Sequence, residues 1–226
     1  MNKEAELTVA PEVLAELPLD GMVVTGDALY TQRNLCEQII AQGGDYLFIV
    51  KLNQPTLYQE IVLVFDDPPQ GEVFSFAQQQ DRHGDRHELR RLWASGALMG
   101  YSQWPGMQQV CKVERQVERK GKRKADVRYA VTSLGSKADA GRLLRLIRGH
   151  WSIENQLHWV RDVTLGEDAS QIRKSSAPEV MAAIRNVVLA LLRRGGAKNI
   201  AAALRQNGWQ RNGTATLAAL LSGPFG

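Results

Sequence analysis

Two short apolar runs, MVVTG at 22–26 and DYLFIVK at 45–51, constrain this chain more than any other feature. Neither alternates polar with apolar residues, so each predicts a strand covered on both faces. A helical pattern follows the first run from Thr31 to about Gln42, with Leu35, Ile39 and Ile40 in step, and Gly43 and Gly44 stop it. Another follows the second run over 55–65, with Pro55 in its first turn. A short helix over 10–18, closed by Pro18, precedes them. The order α-β-α-β-α predicts parallel strands packed between helices, because parallel neighbours need a crossover of this kind.

Asp66-Asp67-Pro68-Pro69 breaks that regime. From Gly71 to Ser133 the pattern turns β-rich, through VFSFA, HELRRLWA, QVCKVERQV and VRYAVTS, with Gly121 in a basic turn between the last two. Helical character returns from about Ala138 to Val160, at a cost of roughly 1 kcal/mol for each of Gly141 and Gly149. After a polar loop at 165–177, helices are expected at 179–194, 198–207 and, weakly, 214–221. The chain therefore reads as α/β: core elements over 1–70, a β-rich insertion over 71–135, further core helices over 136–196 and a helical tail over 197–226.

Composition adds a charge asymmetry and several exclusions. The formal net charge is +4, but residues 1–80 sum to −9 and residues 81–226 to +13. Such segregation fits a polyanionic partner for the second part. No run reaches the ~20 apolar residues of a membrane span, and the opening MNKEAELTVAPEV lacks the apolar core of a secretory signal. Two cysteines cannot build a disulfide framework. A reduced, cytoplasmic setting is the expectation.

Candidate chemistry lies in GHWSIENQLHWVRD (149–162). On a straight helix His150, Glu154, His158 and Arg161 fall within an arc of about 80°, bordering an apolar stripe of Leu146, Ile153, Leu157 and Val160. Asp27, at the C-terminal end of the first strand, stands where open α/β sheets place their ligand sites. A strand-end Asp facing a helical Glu can hold a hard divalent cation such as Mg²⁺. Equally, strand-end aspartates often cap the next helix, and a helical Glu often only faces solvent. Zinc is disfavoured, since His150 and His158 lack a third ligand of the right kind. Lys51, Asn53 and Gln54 after the second strand fit either a polar loop or a phosphate contact. Arg119, Lys120, Lys122, Arg123 and Lys124 fit either a solvated hairpin tip or a grip on a nucleic-acid backbone. Trp151 and Trp159 read as core, as do Leu189, Leu191 and Leu192.

The strings GDALYTQ (26–32), GGDYLFIVKLNQPTLYQEI (43–61) and HWSIENQLHWVRDVTLGEDASQIRK (150–174) resemble DDE-type insertion-sequence transposases. HGDRHELRRL (83–92), RYAVTSLGS (128–136) and the APEV at 177–180 are also similar to the branch that includes the H-repeat-associated proteins. The resemblance covers most of residues 4–196. It implies a partial RNase H-like domain with a β-rich insertion before the catalytic helix, and a C-terminal helical segment. It makes Asp27 and Glu154 catalytic metal ligands for Mg²⁺ (or Mn²⁺), of two-metal type in the intact enzyme. The partners implied are double-stranded DNA, as element ends and target, and a second copy of the intact enzyme. Lys51, Asn53, Gln54, His150, His158, Arg161 and the basic turn become DNA contacts. Related transposases carry Tyr-x2-Arg-x3-Glu-x6-Lys around the last acid; here those positions hold Ile147, His150, Glu154 and Arg161. The family's first Asp lies on a strand upstream of the segment equivalent to KEAELTVAPEVLAEL, and Asp20, in a loop, does not replace it. The expectation is an N-terminally truncated transposase that is inactive alone, the alternative being a non-catalytic DNA-binding remnant.

Overall fold

The computed structural model describes residues 3–136, 138–153 and 159–209. In chain order these form α1 (Lys3–Ala15), β1 (Val23–Gly26), a 3-10 turn (Ala28–Tyr30), α2 (Arg33–Ala41), β2 (Asp45–Val50) and α3 (Pro55–Asp66). Four long strands follow: β3 (Ser75–His83), β4 (Arg86–Ser95), β5 (Gln109–Arg119) and β6 (Lys122–Thr132). Then come α4 (Ala140–Ile153), a π-helical turn (Val160–Thr164), α5 (Ala177–Arg194) and α6 (Ile200–Trp209). Two compact units divide the chain, residues 1–150 and 151–226.

β1 and β2 pair in parallel, as their apolar runs predict, with Gly26 opposite Phe48. The β-rich block joins this same sheet. Its last strand, β6, pairs antiparallel with β2, and the order is β1-β2-β6-β5-β4-β3. β1 and β3 are thus the two edges. The first helix runs earlier than the 10–18 expected: it contains Pro11 and stops three residues before Pro18.

One face of the sheet carries Tyr46, Phe48 and Val50 of β2 with Val110, Tyr129 and Val131, packed with Leu35, Cys36 and Ile39 of α2 and Leu57, Ile61 and Val64 of α3. Each such side chain contributes ~1.5–3 kcal/mol by leaving water. The rings interlock further: Tyr58 meets Tyr129 edge-on with centroids 5.3 Å apart, and Phe65 stacks on Phe74 at 5.2 Å. Burial pushes the thiols of Cys36 and Cys111 up to about 12, so both are inert packing groups at neutral pH.

By register, Leu47 and Ile49 of β2 share the opposite face with Ala130, Cys111, Ala94 and Leu92. Helix α4 is tied to that face at its start, where the Ala140 amide donates to Ser75 Oγ at 3.1 Å. The loop before α4 is fixed by Gln109, whose side-chain amide donates to the carbonyls of Leu134, Gly135 and Ala138 at 2.8–3.1 Å. The buried stripe of α4 is Leu143, Leu144 and Ile147; Leu146, expected on the stripe, only borders it. At helical spacing His150 continues the line through Leu143 and Ile147, so it faces the sheet from the stripe itself.

In the second unit, Val160, Leu189 and Ile200 form a small core with Leu165, Leu192 and Leu204 packed against it. Trp159, expected in the core, is 54% exposed. Among the described residues, no helix is long and apolar enough to cross a membrane.

Candidate functional site

The C-terminal ends of β1 and β2 form a cleft of about 910 Å³ lined by Asp27, Lys51, Asn53, Tyr58, Asp126 and Arg128 among others. Chain geometry at Asp27 is set by the residue before it. A Cβ on Gly26 would sit 3.0 Å from the ring of Phe48 and from Cβ of Tyr30, so any larger residue would have to push these neighbours aside. Asp27 is exposed, and its Oδ1 accepts the Leu29 amide at 2.9 Å, capping the 3-10 turn. A capping carboxylate retains acceptor capacity on its second oxygen and on the remaining lone pairs of the first. The aspartate thus caps this short turn and not helix α2, whose N-cap is Gln32.

The loops that follow the two strands are stitched together. Asn53 donates to the Ala28 carbonyl at 2.6 Å, Gln54 to the Thr31 carbonyl at 2.9 Å, and the Thr31 hydroxyl to the Ile49 carbonyl at 2.6 Å. The amide groups of Asn53 and Gln54 therefore fix the loop bearing Asp27 against the loop bearing Lys51. Lys51 is exposed on the same cleft. Sequence reading missed Asp126 and Arg128, which line this cleft as an ion pair at 2.7 Å. No local signal marks them, since only the pairing of β6 with β2 brings them here.

His150 reaches β1 directly: its Nδ1 lies 3.4 Å from the Thr25 hydroxyl, two residues before Asp27. Which group donates depends on the ring tautomer. Glu154 and His158 lie outside the described residues. Among the described residues, no three His, Cys, Asp or Glu side chains gather closely enough to hold a metal ion.

Arg161 belongs to the second unit, in the π-helical turn. Its guanidinium is held in two places by Glu167, Nε to Oε2 at 2.6 Å and Nη2 to Oε1 at 2.5 Å. The hydrogen bond and charge of Glu167 push its pKa further up. The basic turn is a two-residue hairpin loop, Lys120-Gly121, with φ of 49° and 73°. Both central residues are left-handed, as the tightest β-hairpins require. This projects Arg119, Lys120, Lys122, Arg123 and Lys124 into solvent. Arg119 approaches Asp85 at 3.7 Å and Arg123 binds Glu118 at 2.9 Å, which offsets part of the local charge.

Residues 2–191 match the family of transposase DDE domains. The chain is 33% identical over 201 residues to the protein YbfL of Escherichia coli K12 and to the "H repeat-associated putative transposase YhhI" of the same strain, covering 84% of this chain and 52% of each relative. It is likewise 33% identical over 214 residues to the "Putative transposase YncI" of Escherichia coli O157:H7, covering 87% of this chain and 53% of the relative. The chain thus spans about half the length of the curated relatives it matches.

Proposed function

The chain belongs to the transposase DDE-domain family, and from that membership we propose that it takes part in DNA transposition by metal-dependent cleavage and strand transfer. The observation that carries the proposal is the exposed Asp27 at the C-terminal end of β1, beside Lys51 in one cleft and two residues from the seat of His150. An exposed carboxylate with unused lone pairs is a fitting donor for a hard divalent cation, Mg²⁺ or Mn²⁺. Glu154, four positions after His150, is the second ligand in this reading. A metal pair held there would activate the attacking oxygen and stabilise the leaving one.

The chain's own groups do the rest. Lys51 and His150 hold phosphate oxygens, Asn53 and Gln54 fix the loop from which Lys51 reaches, and the basic hairpin grips the DNA backbone. Arg161 and His158 extend the phosphate contacts, with Glu167 orienting the Arg161 guanidinium. Asp27 and Glu154 are two of the family's three acidic ligands in this reading. The setting is the cytoplasm, and the intact enzyme works on two DNA ends as a homodimer.

Two assays on purified 1–226 test this reading. Binding to duplex DNA by fluorescence anisotropy should weaken steeply with salt. Lys120→Ala, Lys122→Ala and Lys124→Ala together should lower the salt slope by roughly one per lysine. In a plasmid-nicking assay with Mn²⁺, a version carrying all three family carboxylates should cut and lose cutting on Asp27→Asn or Glu154→Gln. Cutting indifferent to both substitutions would overturn the site. Binding without cutting in every version would leave a DNA-binding protein with no nuclease role.

A further inference from the structure

The distal half of the sheet buries a network of charge that the cleavage site does not use. Glu88 of β4, 8% exposed, is bonded by Arg86, Arg90 and Arg115. The second end of Arg90 binds Asp81 of β3 at 2.8 Å, and Asp81 in turn takes Arg148 of α4, at 3.1 and 3.2 Å to its two oxygens. Four guanidiniums therefore share two carboxylates. Asp81 is the joint at which the strand network meets the helix. Arg148 is 38% exposed, so this pair contributes at most about 1 kcal/mol to stability. Its consequence is location rather than energy.

That location is informative. Arg148 and His150 flank Gly149, where a Cβ would meet nothing within 4 Å, so no packing demand explains the glycine. A glycine here loosens the helix by roughly 1 kcal/mol relative to alanine. On either side of this weak point α4 is held to an opposite edge of the sheet, by Arg148 to β3 and by His150 to β1. We propose that Asp81 and Arg148 are positioning residues, a clamp through which the β3–β6 strands hold the end of α4 so that His150 stays seated against β1. The relevance of that seat to DNA cleavage rests on the function proposed above; the clamp itself does not.

Four histidines in the chain make the test direct. Ring cross-peaks of His150 and the amide peak of Thr25 are followed by NMR in 1–226 without DNA or metal, so the outcome is independent of the transposase reading. Arg148→Met and Asp81→Asn should each move both sets of peaks together while the Gly121 peak stays in place. Asp81→Glu, which keeps the charge, should bring them back toward wild type. Should Asp81→Asn fail to fold, Arg148→Met, which removes only the helix end of the clamp, decides the matter. His150 and Thr25 peaks unmoved in Arg148→Met would overturn the proposal. So would a tenfold loss of DNA affinity in Arg148→Met with those peaks unmoved, since Arg148 would then be a phosphate contact.

Discussion

The parallel pair β1–β2 and the antiparallel strands β3–β6 belong to one sheet, yet different forces hold them. Around β2 every residue from Tyr46 to Val50 is buried, and apolar side chains from α2 and α3 fill the near face. In the distal strands the row facing away from α4 is exposed at Phe76, Gln78, Gln80 and Arg82, and the other row buries charge at Glu88 and Arg90 beyond the hydrocarbon of Leu92, Ala94 and Val113. The first region gains from removing apolar area from water. The second gains little net energy from its ion pairs, because desolvation cancels much of their attraction. What the second region obtains is geometry: a joint at Asp81 with a defined partner on α4. The comparison therefore separates the part that makes the fold stable from the part that places a helix.

Phe48→Ala probes the first region and should have the largest effect, about 3–5 kcal/mol, read as a shift in urea unfolding. A loss below 1 kcal/mol would erase the contrast between the two regions. Glu88→Gln probes the second. It leaves three guanidiniums around a neutral amide and should cost roughly 2–3 kcal/mol, below the ~3–5 of a fully enclosed pair because Arg86 and Arg115 reach solvent. Burial alone would raise the Glu88 carboxyl; the hydrogen bond from Arg115 and the charges of Arg90, Arg115 and Arg86 outweigh it and hold the group below its ordinary 4.5. A depressed folded value means this stabilisation is complete above 4.5 and is lost as pH falls through the lower folded value. Wild type should therefore lose stability in that acid window by an increment that Glu88→Gln lacks. Gly149→Ala should do the opposite of both, stabilising by up to about 1 kcal/mol in a thermal melt, since nothing obstructs the new methyl group.

The same contrast governs what could be read from the sequence. Continuous apolar runs announce strands buried on two faces, so β1, β2 and their helices were readable, and so was Asp27 at a strand end. The β-rich block was readable as strands, and the Lys-Gly turn as a hairpin. Its attachment to β2 through β6 was not, because pairing 80 residues apart leaves no local trace. HELRRLWA reads as a strand without saying which side chains face inward, and only the register shows that Glu88 and Arg90 lie on one face beside Asp81. A helix expected to end at about Val160 continues past it as a π-helical turn, Val160–Thr164, which no spacing of apolar residues announces. The roles of Asn53 and Gln54 also turn on tertiary partners, the carbonyls of Ala28 and Thr31, which no spacing rule predicts.

The function proposed above rests on Asp27 and Glu154 being ligands of one divalent-metal site. Mn²⁺ titrated into 1–226 and read by paramagnetic broadening of amide peaks tests it most directly. Peaks of Gly26, Ala28 and Leu29 should broaden at the same midpoint as those next to Glu154, and Glu154→Gln should weaken the broadening at both places. Sharp peaks around Asp27 at saturating Mn²⁺, or broadening there that ignores Glu154→Gln, would contradict it.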